Sequence, residues 1–251
     1  MINQPHQDDI YNQLLDFIRL WNEKSDKLPP EDELAADLGI SRVKLRDILA
    51  VLEAHGYINR KKGVGTIINR CLLKEPARLD IDAIYEETVT ASGFQAHTLV
   101  RRLQYLSNTP ASVSEQLNIL PDAPTYFVEK VVFADEIPAI ILQDYILPKY
   151  YNQNNIDMRI LAKSTFSFVQ NYSKDVLESL VVHVDAISAE GHVAKELQLS
   201  EGSPLLCLTS TGYSFHSVPI LCSIEYHNTK ILPYSFYKRL HRTHFFSASA
   251  E

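Results

Sequence analysis

The chain is poor in the residues that mark secreted, membrane-spanning and metal-bound proteins. It has 3 cysteines, 8 glycines and 1 tryptophan among 251 residues, and no apolar run long enough to cross a bilayer. Cys71, Cys207 and Cys222 are odd in number and lack metal-ligand spacing, so we expect neither a disulfide framework nor a zinc site. Cys207 and Cys222 stand in apolar runs, which predicts small buried side chains.

The absence of several motifs argues against secretion and against common classes of enzyme. The beginning, MINQPHQDDIYNQLL, lacks the basic start and small-residue cleavage site of a signal peptide, so we expect a cytoplasmic protein. The sequence has no glycine-rich phosphate loop, no clear Ser/His/Asp set and no His-Cys cluster with metal spacing. We therefore expect no enzyme activity, no catalytic residue, no metal and no cofactor.

Charge is distributed unevenly along the chain. The net charge is −7, which argues against nonspecific nucleic-acid binding by the whole surface. Residues 41–70 nevertheless hold seven Lys or Arg and two acidic residues, a net charge of +5. A basic island on an acidic chain is the expected electrostatic footprint of a local DNA-binding face.

The first 70 residues have the pattern of three helices and a hairpin. Apolar residues at helical spacing predict helices over 8–23, 31–38 and 42–54. Pro29, Pro30 and Gly39 break the chain between them, and Ser41 is a good N-cap for the third helix. Strands at 57–58 and 66–68 then flank a basic, glycine-containing tip. A helix-turn-helix followed by a basic hairpin is typical of domains that bind duplex DNA.

The candidate DNA contacts form two clusters. The start of the third helix, the end that enters the major groove in helix-turn-helix proteins, carries Ser41, Arg42, Lys44 and Arg46. Arginine is the usual bidentate partner of guanine. The hairpin carries Lys61, Lys62, Gly63, Gly65 and Thr66. Its glycines permit a tight tip and a close backbone approach, and its lysines suit phosphate contact.

After residue 75 the periodicity changes to that of a mixed domain. β-Branched and aromatic runs predict strands at 98–106, 126–134, 138–146, 177–187, 205–213, 219–226 and 234–240. Helices are predicted at 80–92, 110–117, 157–172 and 188–199, the last capped by Ser188. This order favours an α+β domain on a mainly antiparallel sheet. We expect a DNA-binding domain at 1–70, a linker at 71–80 and a second domain at 81–251.

The first part resembles the winged helix-turn-helix of GntR-type bacterial regulators. Their pattern is close to LPSERELA, LGVSRTTVREAL, LEAEGLI and a GRGT wing, and this chain has LPPEDELA, LGISRVKLRDIL, LEAHGYI and GVGT. The resemblance implies DNA contacts by Arg42, Arg46 and the wing around Lys62, Gly63 and Gly65. Asp32 and Val64 stand where the family often carries cations, so weaker phosphate binding is expected there.

The second part resembles the effector-binding UTRA domain of the HutC subfamily. The resemblance lies in PASVSEQLNILPDAPTYFVEKVVFADEIPAIILQDYILP, in ISAEGHVAKELQLSEGSPLLCLTSTGYSFHSVPILCSIEYHN and in the closing SFYKR. It implies a fold like that of chorismate lyase, with a pocket for a small polar metabolite, sugar-derived or a carboxylate. Members that bind sugar phosphates often carry arginines where this chain has Lys130 and Val132, which argues against a sugar phosphate. The candidate effector contacts are Lys130, Gln143, Ser164 and Tyr226.

The leading hypothesis is therefore a ligand-responsive transcription regulator, a repressor, without membrane contact. We expect a homodimer on a palindromic operator, because one helix-turn-helix buries too little surface for genomic specificity. One alternative is an enzyme built on the chorismate-lyase-like domain, although fold analogy is weak support for it. Another is a GntR branch whose all-helical C-terminal domain holds a metal through histidines, but the β-rich runs speak against it.

Overall fold

The computed structural model describes residues 7–81, 83–150, 157–172 and 177–239. The chain divides into two compact units. The first unit comprises Met1–Asp82 and Tyr234–Glu251, and the second comprises Ala83–Pro233. Across the described part of the chain, no helix has the length and apolar character needed to span a membrane.

The first unit has the predicted three helices and hairpin. Its elements are α1 (Gln7–Trp21), α2 (Glu31–Asp37), α3 (Arg42–Ala54), β1 (Ile58–Lys61) and β2 (Gly65–Ile68). The hydroxyl of Ser41 accepts a hydrogen bond from the backbone N–H of Lys44 at 3.2 Å. The predicted N-cap is therefore confirmed, and it fixes the residue at which α3 begins.

One apolar cluster holds the first unit together. Side chains of α1 and α3 that are at most 1% exposed form its centre: Ile10, Leu14, Ile18, Leu45, Ile48, Leu49 and Leu52. Their spacing of three and four residues places them on one face of each helix. Truncation of such a side chain to alanine typically costs about 2–5 kcal/mol of folding stability, so this cluster anchors the buried face of α3 and leaves its opposite face exposed.

The second unit is an α+β domain, as predicted. Its strands are β3 (Ala96–Leu106), β4 (Thr125–Ala134), β5 (Ile137–Ile146), β6 (Leu177–Ser188), β7 (Pro204–Ser214) and β8 (Pro219–His227). The described helices are α4 (Tyr85–Ala91), α5 (Ala111–Leu117), α6 (Met158–Lys163), α7 (Thr165–Tyr172) and α8 (Gly191–Glu196). The sheet order is β3-β4-β5-β8-β7-β6, and every neighbouring pair is antiparallel.

Strand register sorts the polar side chains of this sheet onto two faces. Lys130 of β4 lies opposite Leu142 of β5, which lies opposite Glu225 of β8. Gln143, the next residue of β5, points to the other side because side chains alternate along a strand. We call these the Lys130 face and the Gln143 face. Helices α4, α6 and α7 contact the first through side chains described below, and α5 and α8 contact the second.

Three sequence predictions about elements are wrong. The helix predicted at 157–172 is two helices, because Ser164 is extended (φ −160°, ψ 120°) and separates α6 from α7. Ser188 ends β6 and caps nothing, since Glu190 is the N-cap of α8. Residues 234–239 form no strand but an isolated bridge between Ser235 and Arg78, and Leu240 lies outside the described residues.

The predicted domains and the two structural units assign one segment differently. The described part of the closing segment, 234–239, belongs to the first unit, whereas the sequence pattern placed it with the second. The segment predicted as a linker includes a short 3₁₀ helix, Leu72–Lys74, and the buried residues Ala77 and Arg78. The other boundaries at 70 and 80 stay predictions. Cys207 and Cys222 are buried as expected, and Cys71 is exposed.

Candidate DNA-reading face and effector site

The start of α3 presents the predicted recognition residues on its surface. Ser41, Arg42 and Arg46 are exposed and Lys44 is half-buried, while Leu45 between them is fully buried. Val43 is 70% exposed in the same first turn. Sequence patterning gave Val43 no role. An exposed apolar side chain in this place suits contact with a thymine methyl group.

Two carboxylates of α2 pair with the exposed arginines of α3. Nη2 of Arg42 lies 2.8 Å from Oδ2 of Asp32, and Nε of Arg46 lies 2.6 Å from Oε2 of Glu31. The hydrogen bond to Glu31 raises the pKa of Arg46. Glu31 and Asp32 precede the basic stretch 41–70 in sequence but lie beside it in space, and they reduce the positive field next to α3.

We expect Asp32→Asn to tighten DNA binding by about three- to tenfold, because it frees Arg42 and removes an exposed anion beside the start of α3. The measurement is fluorescence anisotropy at one fixed salt concentration. Asp37→Asn is the matched control, since Asp37 is an exposed acid of the same helix for which the described residues give no ion pair. Equal gains in both variants would mean that only net charge matters.

The hairpin presents fewer cations than its sequence suggested. Lys61, Lys62 and Gly63 are exposed at the tip. Arg60, in contrast, is turned back onto Glu53 of α3, which accepts its backbone N–H at 2.9 Å and its Nε at 2.8 Å. Burial acts to raise the pKa of Glu53, but these bonds outweigh it and lower the pKa. Arg60 therefore joins the wing to α3, and the two lysines remain as wing cations.

The two other predicted wing residues lie where the second strand begins. Gly65 pairs with Lys61 across the hairpin, and a Cβ at Gly65 would approach Cε of Lys27 to 2.5 Å. The carbonyl of Thr66 accepts the backbone N–H of Leu28 at 2.9 Å. Both residues thus tie the wing to the chain before α2. Their DNA contacts stay predictions.

His55, the C-cap of α3, makes the first unit sensitive to acid. Burial and then the charge of Arg78 lower the pKa of His55, while its Nδ1 lies 2.7 Å from the Tyr11 hydroxyl. The unfolded state therefore binds a proton more readily. The contribution of neutral His55 to folding stability should be fully present above its unfolded-state pKa of about 6.5. It should be lost as the pH falls through that pKa toward the lower pKa of the folded state.

Fluorescence of Trp21, the single tryptophan, reports unfolding of this unit specifically. Between about pH 7.5 and about pH 5.5 we expect the thermal midpoint to decrease in the wild type, and to decrease less in His55→Asn. Identical pH dependence in both proteins would show that His55 does not cause it.

In the second unit, the Lys130 face carries a buried cluster of polar side chains. Nζ of Lys130 lies 3.2 Å from Oδ2 of Asp144 and donates to Oγ1 of Thr165 at 2.8 Å and to the carbonyl of Leu161 at 3.4 Å. Thr165 also donates to Asp144. The side chains of Lys130 and Asp144 are 3% and 2% exposed. A buried ion pair of this kind is costly to desolvate, and such pairs often mark functional sites.

The cluster continues across β8 to α4. The Ser223 hydroxyl donates to Oδ1 of Asp144 at 2.6 Å and lies 3.2 Å from Oε1 of Glu225. The Tyr85 hydroxyl also donates to Glu225. Nε2 of His227 lies 3.2 Å from Oε2 of Glu225. We call Lys130, Asp144, Thr165, Ser223, Glu225, Tyr85 and His227 the polar cluster. It holds two carboxylates, one ammonium group, one imidazole and three hydroxyls.

The structure does not bring the four predicted effector residues together. Lys130 belongs to the polar cluster, and Ser164 precedes Thr165, where its hydroxyl accepts the N–H of Ser167 at 3.1 Å. Gln143 lies on the opposite face and donates to Glu129 at 2.8 Å. Tyr226 is on that face too, and burial raises its pKa. The roles of all four stay predictions.

Sequence reasoning missed Asp144 and Thr165, and gave Glu225 little weight. A signal for the two carboxylates was present, since Asp144 and Glu225 interrupt the apolar runs AIILQDYI and ILCSIEYH. A charge in the middle of a buried strand is rare unless it is paired. The partner, however, lies on another strand and is fixed only by register.

The Gln143 face carries a cavity of about 320 Å³ next to β6. It is lined by Ser112, Val113, Gln116, His183, Asp185, Thr209, Cys222 and Ile224. None of the predicted effector residues lines it. Within the described ranges, no group of three His, Cys, Asp or Glu side chains could hold a metal ion.

The first unit is thus a winged helix-turn-helix: its third helix exposes arginines beside a hairpin with lysines at its tip. The gntR family of bacterial regulatory proteins matches residues 7–68, and the UTRA domain matches residues 91–232. The chain belongs to the GntR family of transcription regulators, in the HutC-type branch with a UTRA domain. The six-stranded sheet of the second unit excludes the all-helical alternative.

Similar proteins agree with this assignment. The chain is 24% identical over 210 residues to the uncharacterized HTH-type transcriptional regulator YurK of Bacillus subtilis, covering 79% of this chain and 80% of YurK. It is 22% identical over 213 residues to the mannosyl-D-glycerate transport/metabolism system repressor MngR of Escherichia coli, covering 81% and 85%. The solved structure of the possible regulator YydK from Bacillus subtilis has a TM-score of 0.67 at 20% identity, covering 92% and 99%.

Proposed function

We propose that this regulator represses transcription by binding a palindromic operator as a homodimer in the cytoplasm, and that a small polar metabolite in the second unit changes its DNA affinity. The observation that carries the proposal is one chain joining a DNA-reading face to a separate unit with a buried polar cluster. A metabolite that binds one of two conformations better shifts the equilibrium between them, and so changes operator affinity.

The proposed DNA contacts are the side chains that α3 and the wing expose. Arg42, Lys44 and Arg46 would read the major groove beside Val43, and Lys61 and Lys62 would contact phosphate. The ion pairs of Arg42 and Arg46 are exposed, and water screens the attraction within exposed pairs, so DNA can displace Asp32 and Glu31. Footprinting of the promoter should show two half-sites one or more helical turns apart.

The surface proposed for dimer formation is the outer edge of β6. Val181, Val182 and Val184 are 48%, 42% and 55% exposed on this edge strand. Both edge strands carry charges, Arg101 and Arg102 on β3 and Glu178 and Asp185 on β6, but β6 exposes three valines where β3 exposes Leu99 and Tyr105. We expect Val184→Lys to be monomeric in light scattering, whereas Leu99→Lys on β3 stays dimeric. If the wild-type protein were monomeric, the proposed dimer would be refuted.

The polar cluster is the proposed effector site. A metabolite with hydroxyl or amine groups could replace the bonds that Thr165 and Tyr85 make to its two carboxylates. A phosphate monoester would face both carboxylates with one ammonium group to balance it, so it fits less well. A thermal-shift screen of sugars, sugar acids, sugar phosphates and amino compounds tests the ligand class. A true effector must also change operator affinity.

Two matched variants separate the polar cluster from the cavity on the Gln143 face. Thr165→Val removes a cluster hydroxyl, and Thr209→Val removes a cavity hydroxyl at equal side-chain size. The proposal requires that Thr165→Val loses the response to the effector and Thr209→Val keeps it. The reverse result would move the effector site to the cavity.

We also propose that the second unit is not catalytic. The described residues of the polar cluster bond to one another. The family to which the chain belongs is one of transcription regulators. Turnover of any screened metabolite by the full chain, measured by mass spectrometry, would contradict this.

A further inference from the structure

The described part of the first unit combines residues 7–81 with residues 234–239. The chain leaves it before Ala83 and returns to it at Tyr234. Residues 77–80 on the way out and 234–239 on the way back, which we call the two connectors, lie side by side. The N–H of Leu79 donates to the carbonyl of Ser235 at 2.8 Å, and the N–H of Ser235 donates to the carbonyl of Ala77 at 2.9 Å.

The outgoing connector caps the recognition helix. Arg78 is 7% exposed, and its Nη1 donates to the carbonyl of His55, the C-cap of α3, at 2.7 Å. The last carbonyls of a helix have no partner within the helix, so this bond satisfies one of them. The guanidinium group lies 5.0 Å from the ring centre of Tyr57 and 5.7 Å from that of Tyr237, and it pairs with Asp80.

The returning connector lies against the same helix end. A Cβ at Gly56, whose φ is +79°, would approach the Tyr237 ring to 2.4 Å, so the ring rests on the bare backbone that follows α3. The N–H of Tyr237 donates to Oδ1 of Asp80 at 3.0 Å. Asp80 therefore binds Arg78 on one connector and the backbone of the other connector at once.

The returning connector also contacts the base of the wing. Nη2 of Arg239 donates to Oδ1 of Asn59 on β1 at 2.7 Å, and it lies 3.9 Å from Glu53. Glu53 is the residue that holds Arg60 of the same strand. The last turn of α3, the first wing strand and the returning connector thus form one network of hydrogen bonds and ion pairs.

We propose that residues 234–239 are a positioning element of the DNA-binding unit. Paired with residues 77–80, they fix the end of α3 and the base of the wing in the arrangement that fits DNA. Any movement that separates the connectors removes the cap of α3 and the Arg239 bond together, and lowers DNA affinity. Tyr237 and Arg239 are positioning residues, since they act through Gly56, Asn59 and Glu53. This inference needs DNA binding by the first unit but no particular effector.

The test uses full-length variants and a labelled duplex selected by the wild type from a random pool. We expect Tyr237→Ala to weaken binding by about five- to tenfold, within the usual range of coupling between sites. Phe236→Ala is the matched control, because Phe236 is 70% exposed in the same segment. Tyr237→Phe keeps the ring and should bind within about twofold of wild type, a difference of about 0.4 kcal/mol.

A second pair of variants, which have the same net charge, tests the contact between Arg239 and the wing. Arg239→Ala and Lys238→Ala each lose one cation, and Arg239 is the one bonded to Asn59. Hydrogen exchange without DNA should show faster exchange of residues 56–68 in Tyr237→Ala and Arg239→Ala, with α1 unchanged. Trp21 fluorescence verifies that the unit stays folded.

The inference is overturned if Tyr237→Ala matches Phe236→Ala in wing exchange and in affinity. It is also overturned if Arg239→Ala and Lys238→Ala lose affinity equally, since net charge alone would then explain the loss. If Tyr237→Ala unfolds the unit, the arginine and lysine pair decides the question. Failure of the wild type to select any duplex would refute DNA binding itself, while wing exchange would still test positioning.

Discussion

Arg46→Ala should reduce operator affinity by about tenfold or more, because a bidentate contact between arginine and guanine contributes about 1–3 kcal/mol of discrimination at its base pair. Arg46 is exposed on α3, one turn from Arg42, and its partner in the free protein is Glu31. The variant loses the contact and leaves Glu31 without its cation, next to phosphate. Fluorescence anisotropy with a selected duplex at fixed ionic strength measures the effect.

Two controls make this result specific. Arg19→Ala also removes one exposed arginine that pairs with a carboxylate, that of Asp16, but on α1. It should change affinity by about twofold or less, as expected for a distant, screened charge. Arg46→Lys keeps the charge and loses the planar fork, so its affinity should fall between wild type and Arg46→Ala. If Arg46→Ala lost no more than Arg19→Ala, the assignment of α3 as recognition helix would be wrong.

Lys130→Met should destabilise the second unit by about 3–5 kcal/mol, because removing one partner of a buried ion pair leaves the other charge without compensation. Asp144 is 2% exposed and would keep hydroxyl donors from Thr165 and Ser223 but no cation in the polar cluster. Methionine has a similar length and fills the space of the lysine stem. The loss therefore reports the charge and its bonds, and it includes little cavity formation.

Calorimetry of the full chain measures this loss, and hydrogen exchange of β4 and β5 assigns it to the sheet. Lys163→Met is the matched control, because the Lys163–Glu87 pair is half-exposed and should contribute about 1 kcal/mol or less. Adding Asp144→Asn to Lys130→Met should restore part of the stability, since the orphaned charge is gone. Equal, small effects of Lys130→Met and Lys163→Met would show that the buried pair contributes little.

Short-range patterns in the sequence predicted most of the first unit. Helix limits depended on local signals: Ser41 as a cap, Pro29 and Pro30 as breakers, and Gly39 after α2. The antiparallel sheet could also be predicted from the sequence, because β-branched runs separated by short turns usually form antiparallel strands. The broken helix at Ser164 was missed because α6 and α7 both bury apolar residues, so the helical spacing of Ile160, Leu161, Phe168 and Val169 continues across the break.

The candidate sites were only partly accessible from the sequence. The exposed arginines of α3 were found because each stands at the start of an amphipathic helix. Their ion pairs with α2 were not, since Glu31 and Asp32 lie 10 or more residues away in sequence. On the sheet, Lys130 was identified, but its partner Asp144 depends on register, and a shift of one residue sends a side chain to the other face.

The sequence by itself determined the family, the order of the helix-turn-helix and UTRA parts, the helix that exposes Arg42 and Arg46, and the hairpin with lysines at its tip. Each of these follows from residues close together in the chain, where capping, helical spacing and turn chemistry act locally. Tertiary structure alone decided which charges are paired, which face of the sheet carries the polar cluster, and that residues 234–239 return to the DNA-binding unit. These depend on contacts between residues up to 180 positions apart, such as Arg239 with Asn59. Distances of that kind are fixed by the packing of the whole fold, and no local pattern encodes them.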